Sequence, residues 1–266
     1  MPVIRGLVWT FDTVASTYEK LRPGYVEALY QRLFEYIPID ASSRVLEVGI
    51  GAGQATPPVL QTLCRLTAVE YGENFSQLCR EKFKAYPNFS VITGKFEHQD
   101  YEPDAYDLVY SASAFHWVPE EIGYTKVFSM LRKGGAFARF ANHPYRDKDN
   151  PALSEEIDKI YGQYYYKFHS SKKQETPKEF TWQEAKARAE IAQKYGFVDI
   201  CWELFTRTRT FSPKEYVALL GTYSDHIAIE PTQRKEFFDR IEEAICDYGG
   251  KLTIYDTIDL QLARKP

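Results

Sequence analysis

No stretch of the 266 residues approaches the roughly 18 consecutive apolar residues of a membrane-spanning helix. The opening residues, Met1 to Leu7, carry too little apolar content for a secretory leader. A cytoplasmic protein without membrane attachment is expected. Cysteine is sparse: Cys64, Cys79, Cys201 and Cys246 lie far apart, with no Cys-x-x-Cys pair and no histidine at metal-ligand spacing. That pattern predicts buried thiols in a reducing compartment and no metal site. A basic surplus is missing as well, since 33 Lys and Arg against 37 Asp and Glu leave a formal charge of −4. The positive charges are dispersed, so the stripe that nucleic acid requires is absent. No internal repeat, low-complexity tract or Asn/Asp-Pro-Pro-Tyr motif of base methylation is visible. These absences leave a small molecule as the expected partner of a monomer or homodimer.

What the chain does have is 44% hydrophobic residues, enough for a full core, and 20 tyrosines, several outside the strand patterns. The tyrosines suggest an aromatic-walled pocket. The chain is organised around residues 44–54. An apolar run, Arg44 to Val48, reads as a buried strand and drops into Gly49, Gly51 and Gly53. Glycine at such a turn lets the chain bend sharply and lets the backbone approach a ligand. The helix expected over 55–63 would point its N-terminus at that ligand. A dinucleotide fingerprint requires a third glycine at position 54, where the chain has Gln54, so a nicotinamide-dependent oxidoreductase is the weaker reading. A second apolar run ends at Glu70, placed to accept hydrogen bonds from ribose hydroxyls.

With Glu47 two residues ahead of the three alternating glycines, this stretch resembles the class I S-adenosylmethionine-dependent methyltransferases, in particular their small-molecule branch. The resemblance covers about residues 11 to 141 well. It implies an α/β fold: a Rossmann-like, seven-stranded, mostly parallel sheet with one antiparallel strand, helices on both faces and a helical cap. It implies S-adenosylmethionine as cofactor, held by Glu47, Gly49, Gly51, Gly53 and Glu70. By the same resemblance, Tyr18 and Arg22 of the Phe-Asp...Ala...Tyr...Arg-Pro run approach the methionyl end, where Arg22 can meet a carboxylate. The family usually has an adenine-binding acid where this chain has Lys95. That contact then falls to backbone near Phe96, or to Glu97, with Phe96 either packing on adenine or capping the core.

Further on, strands are expected at 66–70, 89–93 and 108–112, with a helix over 75–86 capped by Asn74 between the first two. The segment Ser111, Ala112, Ser113, Ala114, Phe115, His116, Trp117 resembles the same stretch in the branch that includes trans-aconitate methyltransferase. It leaves the carboxyl end of strand four, where an open α/β sheet binds ligands, and Ser111 is a candidate cofactor contact. His116 is the candidate general base, with packing beside the sulfonium as the alternative. A helix over 120–131 stops at Arg132, Lys133, Gly134 and Gly135, before a strand at 136–141. Thr181 caps a helix over 182–195, and strands follow at 198–206 and 253–262. Helical patterns at 213–223 and 232–248 lie between them, with Tyr223 and His226 as possible pocket residues.

The domain reading is therefore a segment, 1–40, closing over the cofactor, a core of 41–143 and 181–266, and helical insertions, 144–180 and 207–250, forming a substrate cap. The expected chemistry is in-line methyl transfer to a small molecule, at a carboxylate or hydroxyl oxygen. Such a reaction needs alignment and exclusion of water more than a dedicated nucleophile. The rival of another class is a noncatalytic S-adenosylmethionine-binding protein.

Overall fold

Alternation along the first strand sets the architecture. In a computed structural model, which describes residues 22, 24–146, 148–170, 172, 174 and 176–266, Val45 faces one apolar cluster while Leu46 and Val48 face another. Leu108 and Val109 divide in the same way. Side chains of a strand alternate between faces, so these residues require cover on both sides, as parallel sheets do. Strands β1 (Arg44–Val48), β2 (Arg65–Glu70), β3 (Phe89–Thr93), β4 (Tyr106–Ala112), β5 (Leu131–Tyr145), β6 (Val198–Phe211) and β7 (Leu252–Arg264) form one sheet in the order 3-2-1-4-5-7-6. The pairs β1–β2, β2–β3, β1–β4 and β4–β5 are parallel. Gly134 N–H donates to the Lys265 carbonyl at 2.9 Å and Lys265 N–H to that of Gly135 at 2.9 Å, while Tyr145 lies 5.6 Å from Tyr255. The start of β5 thus meets the end of β7, which makes β7 antiparallel.

The α-helices among the described residues are α1 (Glu27–Tyr36), α2 (Thr56–Leu60), α3 (Glu73–Lys82), α4 (Glu120–Met130), α5 (Pro151–Gln163), α6 (Tyr165–Phe168), α7 (Trp182–Glu190), α8 (Pro213–Leu220), α9 (Ser224–Ile227) and α10 (Pro231–Asp247). Leu29, Leu33 and Cys79 pack into the first cluster; Tyr124, Val127 and Met130 pack into the second. The described chain divides into two compact units. One holds residues 24–142, 180–205 and 258–266; the other holds Arg22 with the described parts of 143–179 and 206–257. The second unit has its own core, in which Ile157 of α5, Leu219 of α8, Phe237 and Ile241 of α10 and Ile254 of β7 meet.

Local chemistry sets several boundaries. Thr181 begins α7 with a reciprocal box: its hydroxyl accepts from Glu184 N–H at 3.2 Å while the Glu184 carboxylate accepts from Thr181 N–H at 2.7 Å. A tighter turn over Ile191–Tyr195 follows, and Gly196 closes it at φ 87°. Asn74 is not a cap, because α3 already starts at Glu73 behind an extended Gly72, and the helix stops at Lys82 rather than at 86. Strand β5 begins at Leu131, ahead of the glycines expected to separate it from α4, because Leu131 already pairs with Tyr106. Of the four thiols only Cys64 and Cys79 are buried; Cys201 is half-buried and Cys246 is exposed, so the expectation of four buried thiols fails. Among the described residues no helix is long and apolar enough to cross a membrane, and no metal-holding group of His, Cys, Asp or Glu occurs.

Candidate functional site

Strand order reverses beside β1, whose neighbours are β2 and β4, and the glycine turn leaves the carboxyl end of β1 at that point. Gly49, Gly51 and Gly53 all have left-handed backbone, with φ of 75°, 54° and 75°. Their reasons differ. A Cβ on Gly49 would lie 2.4 Å from the Ala114 Cβ, and one on Gly53 would lie 2.6 Å from the Phe83 ring. Those two glycines allow close packing of protein on protein. A Cβ on Gly51 would meet nothing nearer than Gln54 Oε1 at 4.0 Å. Gly51 is the position that faces open space.

Glu70, at the end of β2, reaches across to this turn. One carboxylate oxygen accepts from Gly51 N–H at 2.8 Å and the other from Gly72 N–H at 2.9 Å. Glu47 is fully buried in β1; its Oε2 accepts the hydroxyls of Thr56 at 2.8 Å and Tyr110 at 2.7 Å. Burial pushes the Glu47 carboxyl up to about 7, against the pull of those two hydroxyls. Its Oε1 is buried without a hydrogen-bond partner, as is Gln54 Nε2 on the other side of the turn. Ser111 donates its hydroxyl to the Val48 carbonyl at 2.7 Å and so ties β4 to the last residue of β1.

The structure thus brings Glu47, Gly49, Gly51, Gly53, Glu70 and Ser111 to one strand-end turn. Phe96 is only 4% exposed and packs in the second core cluster, its ring 5.3 Å from Tyr101. Lys126 pins the loop that carries it, donating to the carbonyls of Phe96 at 3.3 Å, Glu97 at 2.9 Å and Gln99 at 2.5 Å. Lys95 is exposed, with its ammonium 5.4 Å from the centre of the Tyr71 ring. Tyr18 lies outside the described residues. Arg22 belongs to the second unit, where its guanidinium stacks 3.7 Å over Tyr223 and donates to the Thr222 hydroxyl at 3.0 Å.

His116 sits on the single turn Phe115–Trp117 after β4, its ring 5.0 Å from Trp117. The side chain keeps contact with solvent, yet its pKa is lowered to about 4, first by desolvation among the surrounding protein and then by the guanidiniums of Arg188 and Arg139. Solvent contact tempers the desolvation, but both cations act in the same direction. The ring is neutral through the physiological range. That pKa lies well below the ordinary histidine value of 6.5.

Ser113, three residues ahead of His116, was legible as part of the strand-end segment but not as a strained residue. It has φ 55°, which a residue with a side chain rarely adopts, and its hydroxyl lies 2.8 Å from the Tyr25 hydroxyl and 3.4 Å from Asn142 N–H. Tyr25 and Asn142 were missed. Nothing in local periodicity marks a tyrosine 88 positions away as a partner.

A 3-2-1-4-5-7-6 sheet with an antiparallel last strand, a glycine turn after β1 and an acid at the end of β2 has the class I methyltransferase fold. Residues 45–135 match the family described as methyltransferase domain. An uncharacterised methyltransferase of Schizosaccharomyces pombe is 23% identical over 240 residues, 89% of this chain and 87% of the relative. Among solved structures, a protein of Anaeromyxobacter dehalogenans classed as a type II methyltransferase superposes with a TM-score of 0.62 at 20% identity, over 92% of this chain and 98% of that one. Phosphoethanolamine N-methyltransferase 2 of Haemonchus contortus, in complex with S-adenosyl-L-methionine, gives 0.55 at 16% identity. That match covers 96% of this chain but only 57% of the nematode enzyme. Residues 45–135 thus carry a methyltransferase domain, and the chain shares its fold with methyltransferases, one of them solved with S-adenosyl-L-methionine.

Proposed function

We propose that this enzyme transfers a methyl group from S-adenosylmethionine to an oxygen of a small molecule, a carboxylate or a hydroxyl. The observation that carries the reading is Glu70 laced to the glycine turn, with Gly51 left open beside it. The bonds from Gly51 and Gly72 N–H orient the Glu70 carboxylate at the strand end, where ribose hydroxyls would donate to it. The bare Gly51 Cα lets the backbone approach the ligand. The unpartnered Glu47 Oε1 and Gln54 Nε2 are polar atoms that a polar ligand at the turn would suit. Gly49, Gly53 and Ser111 hold the turn in shape. In this reading backbone near Phe96, or Glu97, contacts adenine, while Tyr18 and Arg22 meet the methionyl end.

When bound, the cofactor supplies an electrophilic methyl group on a sulfonium. The chain's own residues align the partners and exclude water. His116, neutral but held near a pKa of 4, is a weak base, which suits an acceptor oxygen that is already ionised at neutral pH. A carboxylate meets that condition. The formal charge of −4 supports a small acceptor over a nucleic acid, and the segments 144–180 and 207–250 are proposed as the acceptor cap. A methyl-transfer screen against carboxylic acids, phenols and amines, read by release of S-adenosylhomocysteine, tests the proposal. Product above the acceptor-free blank is expected with a carboxylic acid or a hydroxyl compound. Cofactor binding with no turnover on any class would favour a noncatalytic binding protein instead.

A further inference from the structure

In the second unit, Arg146 follows directly on the last residue of β5 and is 6% exposed. One arm of its guanidinium, Nη2, donates to Asp158 on α5, while its Nε–H is buried and has no hydrogen-bond partner. Ser154 lies one helical turn before Asp158 on α5, hence on the same side of that helix, and is 4% exposed. Its Oγ is also buried and unpartnered. Native chains satisfy nearly all such atoms, so a charged donor and a hydroxyl left open at one helical turn call for a cause.

The surroundings are basic and aromatic. The Arg146 guanidinium is 5.7 Å from the centre of the Tyr161 ring. Tyr216, buried and hydrogen-bonded to Tyr161, feels the positive charge of both Arg146 and Arg209. Arg207 and Arg209 share a single buried carboxylate, Asp256. An anion would satisfy the open Nε–H through a charge-assisted bond and take the Ser154 hydroxyl as a second donor.

We propose that Arg146 and Ser154 form an oxyanion-binding site that takes a carboxylate or phosphate group. Asp158 holds the guanidinium through Nη2 and leaves the Nε–H for the ligand.

The test is isothermal titration of the full chain with tricarballylate, glycerol phosphate and glycerol, each with and without saturating S-adenosylhomocysteine. At least one of the two anions is expected to bind and glycerol not to bind, and which anion binds separates carboxylate from phosphate recognition. Arg146→Gln is expected to weaken the anion at least tenfold with S-adenosylhomocysteine affinity unchanged. Equal binding by wild type and Arg146→Gln, or failure of both anions to bind, overturns the site. Should Arg146→Gln not fold, Ser154→Ala decides: a loss of about threefold or more sustains the proposal, and unchanged affinity overturns it. Wild type that binds the anion but not S-adenosylhomocysteine would sink the methyltransferase reading and leave the anion site standing.

Discussion

Two buried carboxylates, one in each unit, show how differently the two halves of this chain are built. Glu47 in the first unit is fully buried and accepts the hydroxyls of Thr56 and Tyr110. Asp256 in the second unit is 1% exposed and accepts four hydrogen bonds from two guanidiniums, Arg207 and Arg209. A buried carboxylate without a counterion prefers to hold its proton, whereas one between guanidiniums has its charge compensated by them. The glycine-turn region is therefore adjustable: its charge state can answer to what binds there. The helical unit is pinned by ion pairs between side chains drawn from different segments.

The sharpest way to break the contrast is at the turn itself. Gly51→Val is expected to abolish S-adenosylmethionine binding in a calorimetric titration while the chain still folds. The left-handed backbone there costs a substituted residue about 1–2 kcal/mol, and open space surrounds the added side chain. Gly49→Val is the control that should fail to fold, since even its Cβ would overlap Ala114. Retained binding by Gly51→Val would reduce the turn to a packing device like its two neighbours.

A second test turns on the proton of Glu47. Its folded pKa, raised from 4.5 to about 7, lies above its unfolded value, so the folded chain holds a proton that the unfolded chain has released. This contribution is complete below pH 4.5, falls as pH rises through the window from 4.5 to 7, and is absent above it. Glu47→Gln mimics the protonated form. The variant is expected to match wild type in urea unfolding near pH 4.5 and to exceed it by about 3 kcal/mol at pH 8. The difference between the two proteins is the quantity to follow, because His116, with a lowered pKa, contributes with the opposite slope. Parallel stability curves would mean that Glu47 is ionised in the folded chain, and the contrast with Asp256 would collapse.

Glu70→Ala comes next in size. It removes the proposed ribose acceptor together with the bonds to Gly51 and Gly72 N–H, and should weaken S-adenosylmethionine by about 1.5–3 kcal/mol. Unchanged affinity in a titration would reduce Glu70 to a brace for the turn.

How much of this was legible follows the same division. The strands, the turn and Glu70 were readable because their causes are local: a two-residue alternation, a left-handed backbone that favours glycine, and an acid closing the next strand. The helix start at Glu73 was not, because Gly72 lets the extended chain enter the helix while the more obvious cap, Asn74, lies already inside it. An aromatic loop residue such as Phe96 reads the same whether it faces a ligand or the core, and only its packing shows that it is buried against the half-buried Tyr101. In the second unit, His226 could be singled out by type. Its partners, Asp225 at 2.8 Å and Tyr161 at 2.9 Å, could not all be found, because the tyrosine stands 65 positions away. The Arg146–Asp158 and Arg209–Asp256 pairs likewise join segments that no periodicity links.

His116 carries the smallest expected effect. As a base with an ordinary histidine pKa it would make activity rise near pH 6.5. With the pKa lowered to about 4, the ring is already neutral at pH 5.5, so the rate should be flat from there to pH 8 whether or not the ring accepts a proton. A flat profile therefore no longer tells a base from a packing residue, and the substitution must do so. For a carboxylate acceptor, which needs no base, His116→Ala should lower the turnover number less than about tenfold, against the 10²-fold or more typical of a lost general base. Arg139→Gln adds an independent reading, since removing one of the two guanidiniums should raise the His116 pKa, observable by NMR titration of the ring. A turnover loss of 10²-fold in His116→Ala on a carboxylate, with cofactor affinity intact, would show that the ring does more than pack and would turn the search toward acceptors that must lose a proton.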